Sequence, residues 1–163
     1  MQVTIDPVCF DDPVHLRWWY ELRNAESTRR GCRSMKKITV DEHFVWWHES
    51  KLSKTRKMFF VRCRKVMGVQ PEVVGFLRLD KRSDTTEWTE ISIAISPEWR
   101  GNGVGATVVR HAVHMIGAIK WPTPGAVING RNAASLSLFL RAGFLLKRKG
   151  FIQVTKLNTG GRR

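Results

Sequence analysis

The residues with the clearest chemistry lie in one stretch, Ser96-Pro97-Glu98-Trp99-Arg100-Gly101-Asn102-Gly103-Val104-Gly105. Glycines at alternate positions 101, 103 and 105 remove side chains where a backbone must approach a ligand. An apolar run, Ile91 to Ile95, leads in, and an apolar segment with helical character, Ala106 to Ile119, leads out. Strand, glycine-rich turn and helix together aim main-chain N–H groups at an anion, above all a phosphate. Arg100 adds a fixed positive charge at the head of the turn. Two phosphate motifs are excluded by spacing. A Walker loop closes on Gly-Lys-Ser/Thr, and Gly105-Ala106-Thr107 has no lysine. A dinucleotide fingerprint places two residues between its second and third glycines, and Val104 alone separates Gly103 from Gly105.

The elements that must position this loop are legible in order. Gln2 to Ile5 suits a short strand. Asp11-Asp12-Pro13 starts a helix that runs to about Asn24, with an acidic cap and a proline in the first turn. Leu16, Trp19 and Tyr20 share one of its faces. Residues 26–37 are polar and basic and read as loop or broken helix. Thr39 to Glu42 has the form of a capping box, with Asp41 as the alternative cap, and a helix carrying Phe44, Trp46, Trp47 and Leu52 follows to about Ser53. Residues 57–64 and 72–80 read as two strands of a hairpin, and 81–85 as a polar turn. Residues 86–95 form a third strand, with Ile91, Ile93 and Ile95 on one face and Glu90, Ser92 and Ala94 on the other. The helix after the loop ends before Trp121-Pro-Thr-Pro-Gly125. Residues 126–129 make a short strand, and Asn132 caps a helix to Arg141, which Gly143 ends. Residues 144–147 and 151–156 are two last strands around Gly150, and 158–163 read as a frayed tail. The order β-α-α-β-β-β-α-β-α-β-β over residues 1–157 predicts one α/β domain, a mixed sheet with helices on both faces.

Composition narrows the partners. The chain has 28 basic and 14 acidic residues, a net charge of +14, which favours an anionic partner: nucleic acid, a membrane surface or a phosphorylated metabolite. The basic residues are dispersed and form no long arm. No apolar run approaches the roughly 20 residues of a membrane span, and the first residues lack the pattern of a signal peptide. Cys9, Cys32 and Cys63 are odd in number and widely spaced, offering neither a metal pattern nor a disulfide framework. A reducing cytoplasm is the expected location, and no metal is expected.

Two motifs carry a family resemblance. Arg100-x-x-Gly103-x-Gly105 after a strand resembles the acetyl-CoA-binding loop of the GNAT superfamily of N-acetyltransferases. Asn132, Ser135, Phe139, Gly143 and Phe144 resemble that family's Asn-x-x-Ser-x-x-x-Tyr-x-x-x-Gly-Phe signature, at the expected distance after the loop. The resemblance implies a mostly antiparallel central sheet and acetyl-CoA as cosubstrate. It places Arg100, Gly101, Asn102, Gly103, Val104 and Gly105 at the pyrophosphate, and Ile93, Ala94 and Ile95 along the pantetheine amides. Asn132 and Ser135 join them, and a main-chain N–H of that strand is the natural oxyanion donor. Phe139 stands where the family often has a tyrosine and cannot donate a proton. Ser135, Ser137 or water then protonates the thiolate, or it leaves unassisted.

A narrower resemblance lies in the first half. Leu22-Arg23-Asn24, Arg29 or Arg30, and Ile38 to His43 with Trp46-Trp47 are similar to acetyltransferases that modify nucleotide-linked amino sugars, the closest type acting on a 4-amino sugar. This implies Arg23, Asn24, His43 and Trp46 at the acceptor, with Arg23, Arg29 and Arg30 holding phosphates. Glu90 is the candidate base, acting through a water, because a protonated amine has no lone pair for attack. His43 and His48 are reserves. Two other readings compete: a protein or peptide N-acetyltransferase of the ribosomal-protein type, and a non-catalytic CoA-binding or nucleic-acid-binding protein on the same scaffold.

Overall fold

In a computed structural model, the described residues are 1–66, 68–82, 87–148 and 151–156. Most of the expected polar turn at 81–85, the residue Gly150 and the expected tail at 158–163 lie outside them. The elements are β1 (Gln2–Pro7), α1 (Pro13–Asn24), α2 (Glu26–Arg29), α3 (Val40–Leu52), β2 (Arg56–Arg64), β3 (Glu72–Arg82) and β4 (Trp88–Ile95). After a 3-10 turn at Pro97–Trp99 come α4 (Val104–Ala118), β5 (Pro124–Asn129), α5 (Ala133–Arg141), β6 (Phe144–Arg148) and β7 (Phe151–Lys156). The order matches the one expected, with α2 as a single helical turn inside the stretch read as loop.

Local chemistry accounts for the helix starts. The Asp12 side chain accepts the N–H of Val14, and Pro13 fills the first position of α1. Thr39 and Glu42 exchange side-chain and main-chain bonds in a complete capping box before α3. That contact with the Thr39 backbone, with Lys36 adding to it, holds the Glu42 carboxyl below its ordinary range.

The seven strands form one sheet in the order β1-β2-β3-β4-β5-β7-β6. Every pairing is antiparallel except β4 with β5. Strand alternation builds two cores. Phe59, Val61, Leu77, Leu79, Ile91 and Ile95 face α4 and α5, where Val104, Val108, Ala112, Ile116 and Phe139 complete the packing. Met58, Phe60 and Phe76 face α1 and α3, which supply Trp19, Leu22 and Trp47. Trp19 stacks on Phe76 with ring centroids 4.3 Å apart. Among the described residues, no helix is long and apolar enough to cross a membrane.

Candidate active site at the parting of two strands

The parallel strands β4 and β5 stay together only briefly. Their register consists of Thr89 opposite Pro124 and Glu90 opposite Gly125, and beyond Glu90 they part. The rest of β4, Ile91 to Ile95, therefore has an edge toward β5 that no strand covers. The N–H of Thr89 donates to Thr123 on the β5 side, and that of Ser96 to Val74 on the β3 side. By alternation, the main chain of Ile93 and Ile95 faces the opening. The main chain of Ala94 faces β3, where its register partner is Phe76. Of the three residues expected along the cofactor arm, Ala94 is thus corrected: its peptide groups are turned to a neighbouring strand.

The glycine loop closes one end of this opening. Gly101 and Gly103 both have φ of +78°, and a Cβ at either would meet no atom within 4 Å. These glycines are required by backbone conformation rather than by crowding. Gly103 caps α4 without a side-chain bond, so the first-turn N–H groups of the helix point out unsatisfied by any side chain. Gly105 serves packing, since a Cβ there would come within 3.2 Å of the Leu138 Cδ2. The Val104 side chain is buried. Asn102 donates to the Arg100 carbonyl at 3.2 Å and shapes the turn. Arg100 donates from Nε to the Ile95 carbonyl at 2.7 Å, and its Nη2 lies 3.5 Å from Ser27 Oγ. It is a strut between loop, strand and α2 as well as a positive charge. A depression of about 460 Å³ beside the loop is lined by Met1, Lys65, Trp99 and Asn102. Open glycines, an uncapped helix start and an uncovered strand edge together fit a long ligand with a phosphate-bearing middle and an amide-bearing arm.

The floor of the opening on the α1–α3 side is polar. Glu90 is only 3 % exposed, and each of its oxygens meets a guanidinium. Arg33 Nη2 lies 2.6 Å from Oε1. Arg82 donates to Oε2 from Nε at 2.8 Å and from Nη2 at 2.6 Å. Asp80, the register partner of Glu90 on β3, is held the same way, by Arg56 and Arg78 at 2.6 Å each. Arg78 reaches on to Ser92 Oγ at 3.4 Å. The sequence reading missed these four arginines. The alternation that put Glu90 and Ser92 on one face could have flagged Arg78 and Arg82 across the hairpin, but Arg33 is 57 residues from Glu90 and gives no local signal.

The expected acceptor residues divide. Trp46 borders this floor, with the guanidinium carbons of Arg56 and Arg78 at 5.3 and 5.8 Å from its ring centre. Arg23 leaves one buried nitrogen, Nη1, without a partner. Asn24 is occupied: its amide donates to the Ile38 carbonyl at 2.9 Å and accepts the Ile38 N–H at 3.0 Å, pinning the segment before α3. His43 is buried against Tyr20, Trp46 and Trp47, with Nε2 at 3.1 Å from the Leu16 carbonyl. Burial pushes its pKa below the ordinary value, partly offset by that carbonyl. His48 lies outside, against Phe44. Arg29 braces the main chain at Asn24 and Met35, and Arg30, expected with it to hold phosphates, pairs with Glu26 on the surface. Asn132 caps α5 through the Ser135 N–H at 3.0 Å and reaches the Gly31 carbonyl at 3.3 Å, while Asn129 holds the Cys32 carbonyl at 2.9 Å. Both asparagines tie the 31–33 segment to the β5 side of the opening. Phe139 is core, edge-on to Phe144, and offers no proton.

The family model described as the acetyltransferase (GNAT) family matches residues 18–144. No curated protein matches in sequence. Solved structures share the fold across nearly the whole chain. A domain from Methanocaldococcus jannaschii superposes with a TM-score of 0.80 at 19% identity, covering 94% of this chain and 96% of its own. A spermidine N-acetyltransferase from Vibrio cholerae, in complex with CoA and spermine, gives 0.76 at 16% identity, covering 94% and 92%. A GNAT-family acetyltransferase from Streptococcus pneumoniae gives 0.66 at 15% identity, covering 94% and 96%. The chain belongs to the GNAT family of acetyltransferases, with acetyl-CoA as its acetyl donor.

Proposed function

We propose that the protein acetylates the primary amine of a small molecule bearing an anionic group, with a nucleotide-linked amino sugar of surface-glycan synthesis as the best fit. The observation that carries this reading is the cluster of guanidinium groups at the floor: among the described residues, Arg33, Arg56, Arg78 and Arg82 gather around Asp80 and Glu90. A polyamine, the substrate named for the Vibrio cholerae relative, would meet the wrong sign here. A basic peptide would as well. Trp46, flanked by Arg56 and Arg78, offers a flat face for a sugar or base.

The donor, when bound, supplies an activated acyl thioester. The chain's own groups do the rest. Gly101, Gly103 and the first-turn N–H groups of α4 take its phosphates, Arg100 and Asn102 hold the turn in shape, and the main chain of Ile93 with the N–H of Ile95, whose carbonyl Arg100 holds, takes its amides. The N–H groups on that open edge also offer donors for charge that develops on the acyl oxygen. Glu90, reached through a water, accepts the ammonium proton so that the amine gains a lone pair. An acidic thiol makes an unassisted departure tolerable where Phe139 offers no donor.

The test is a turnover panel with acetyl-CoA: nucleotide-linked 4-amino sugars, spermidine, and a lysine-rich ribosomal-type peptide. Acetylation of the amino sugars well above the other two is expected. Turnover on spermidine or peptide with none on any anionic amine would overturn the acceptor assignment.

A further inference from the structure

The two walls of the opening end at Ile95 on β4 and Asn129 on β5, and one segment of chain is bonded to both. On the β4 side, Arg100, whose Nε holds the Ile95 carbonyl, reaches Ser27 Oγ with Nη2 at 3.5 Å. On the β5 side, Asn129 Nδ2 donates to the Cys32 carbonyl at 2.9 Å and Asn132 Nδ2 to the Gly31 carbonyl at 3.3 Å. Arg33 then returns to Glu90, where the strands part. Residues 27–33 therefore cross the opening on its α1–α3 side as a strap. The two asparagines are built alike. Each accepts a main-chain N–H of its own turn with Oδ1, from Arg131 and Ser135 respectively at 3.0 Å, and uses its amide nitrogen for the strap. Gly31 leaves room for this contact: a Cβ there would lie 2.7 Å from Asn132 Nδ2. The floor of Trp46, Arg56 and Arg78 lies on the other side of Glu90, toward β3.

We propose that Asn129 and Asn132 are positioning residues that hold this strap over the donor's thioester, so that an amine arriving from the Trp46 side reaches the acyl carbon and water from the β5 side does not. The inference rests on the acetyl-transfer chemistry of the family and on no particular acceptor. A strand edge left open for the donor's amides is open to water as well. A carboxylate that takes a proton through a water serves a water nucleophile as readily as an amine. Attack by water forms a C–O bond at the acyl carbon and breaks the C–S bond. The sulfur leaves with the electron pair, and the products are acetate, CoA thiol and one proton. Attack by the amine forms a C–N bond and breaks the same C–S bond. The strap selects between the two routes by access, because it covers one side of the opening and leaves the other to the acceptor. Its ties run through main-chain carbonyls at Gly31 and Cys32, so the two asparagines set its position.

The test measures thiol release from saturating acetyl-CoA with no amine present, which reads attack by water alone. Asn129→Asp keeps the oxygen that takes the Arg131 N–H and removes the donor to Cys32, so the turn stays and the strap loosens. It should raise thiol release by at least about threefold, the effect of one lost hydrogen bond. Gly31→Ala, which pushes the strap off Asn132 from the opposite side, should raise it as well. Ile116→Val, a truncation in the core beneath α4, should lower the melting temperature without raising release. With whichever amine of the acceptor panel turns over, the ratio of acetylated amine to acetate should fall in both strap variants. The proposal is overturned if either strap variant releases thiol no faster than wild type, if that ratio is unchanged in them, or if Ile116→Val releases thiol as fast as they do. Thiol release needs no acceptor, so a failed amino-sugar assignment would leave this result untouched.

Discussion

Burial of His43 among Tyr20, Trp46 and Trp47 disfavours its charged form. Desolvation lowers its proton affinity below the ordinary value near 6.5. The unfolded chain then binds more protons than the folded one once pH drops below that value. Stability from this residue is full above pH of about 6.5 and is lost progressively as pH falls toward the depressed folded value. Urea midpoints at about pH 7.5 and about pH 5.5 should show the loss in wild type and a smaller one in His43→Gln, which cannot charge. Equal losses in both would place the effect elsewhere. At Glu90, Glu90→Gln should lower kcat by about 10²–10⁴-fold with CoA affinity unchanged, as for loss of a general base. A purely structural carboxylate would instead lower the melting temperature and leave kcat near wild type. The sequence placed Glu90 on the right face of the right strand. It did not show that both oxygens are already held, because Arg33 arrives from a distant segment.

At the scale of elements, the opening depends on where β4 stops pairing and on how the glycine loop turns. Gly103 sits at φ +78° with no atom near its missing Cβ. Gly103→Val should therefore cost about 1–2 kcal/mol from backbone conformation. It should also abolish the thermal stabilisation by acetyl-CoA, because a branched side chain would stand over the helix start. A full ligand shift in that variant would remove the loop from the cofactor site. Gly75 is the opposite case: a Cβ would lie 2.4 Å from the Ala94 carbonyl oxygen and 2.7 Å from Ile95 Cδ1. Gly75→Ala should destabilise by about 1–3 kcal/mol, measured by chemical denaturation, since β3 and β4 must be pushed apart. Both glycines were visible as letters, but only the loop glycines carried a turn signal; Gly75 is tight because of its neighbour across the sheet. Likewise Asn24→Ala should cost about 1–3 kcal/mol and speed proteolysis between residues 31 and 38, because the Ile38 peptide loses both bonds.

For the whole molecule, a net charge of +14 is spread over a sheet with a core on each side. That field favours any polyanion, which is why composition alone left nucleic acid among the candidates. Acetyl-CoA carries several phosphate charges, so its affinity should fall as salt is raised from about 0.01 M to about 0.15 M, where screening becomes short-ranged. Isothermal titration at the two ionic strengths checks this, and an unchanged dissociation constant would mean that shape and amide pairing dominate over charge.

By itself, the sequence determined the elements other than the single turn α2, their order, the turn chemistry of the loop and the family. Those properties depend on short-range rules: caps, alternation, glycine conformation and the spacing of two motifs. The tertiary structure alone decided which groups face one another. Strand register put Asp80 opposite Glu90, and the return of the 31–38 segment across the sheet put Arg33 on a carboxylate 57 residues away. It turned Asn24, Arg29 and Arg30 into braces and Ala94 away from the opening. The pairings of Asp80, Glu90 and Arg33 are fixed by packing between segments distant in the chain, and no local pattern of residue types encodes them.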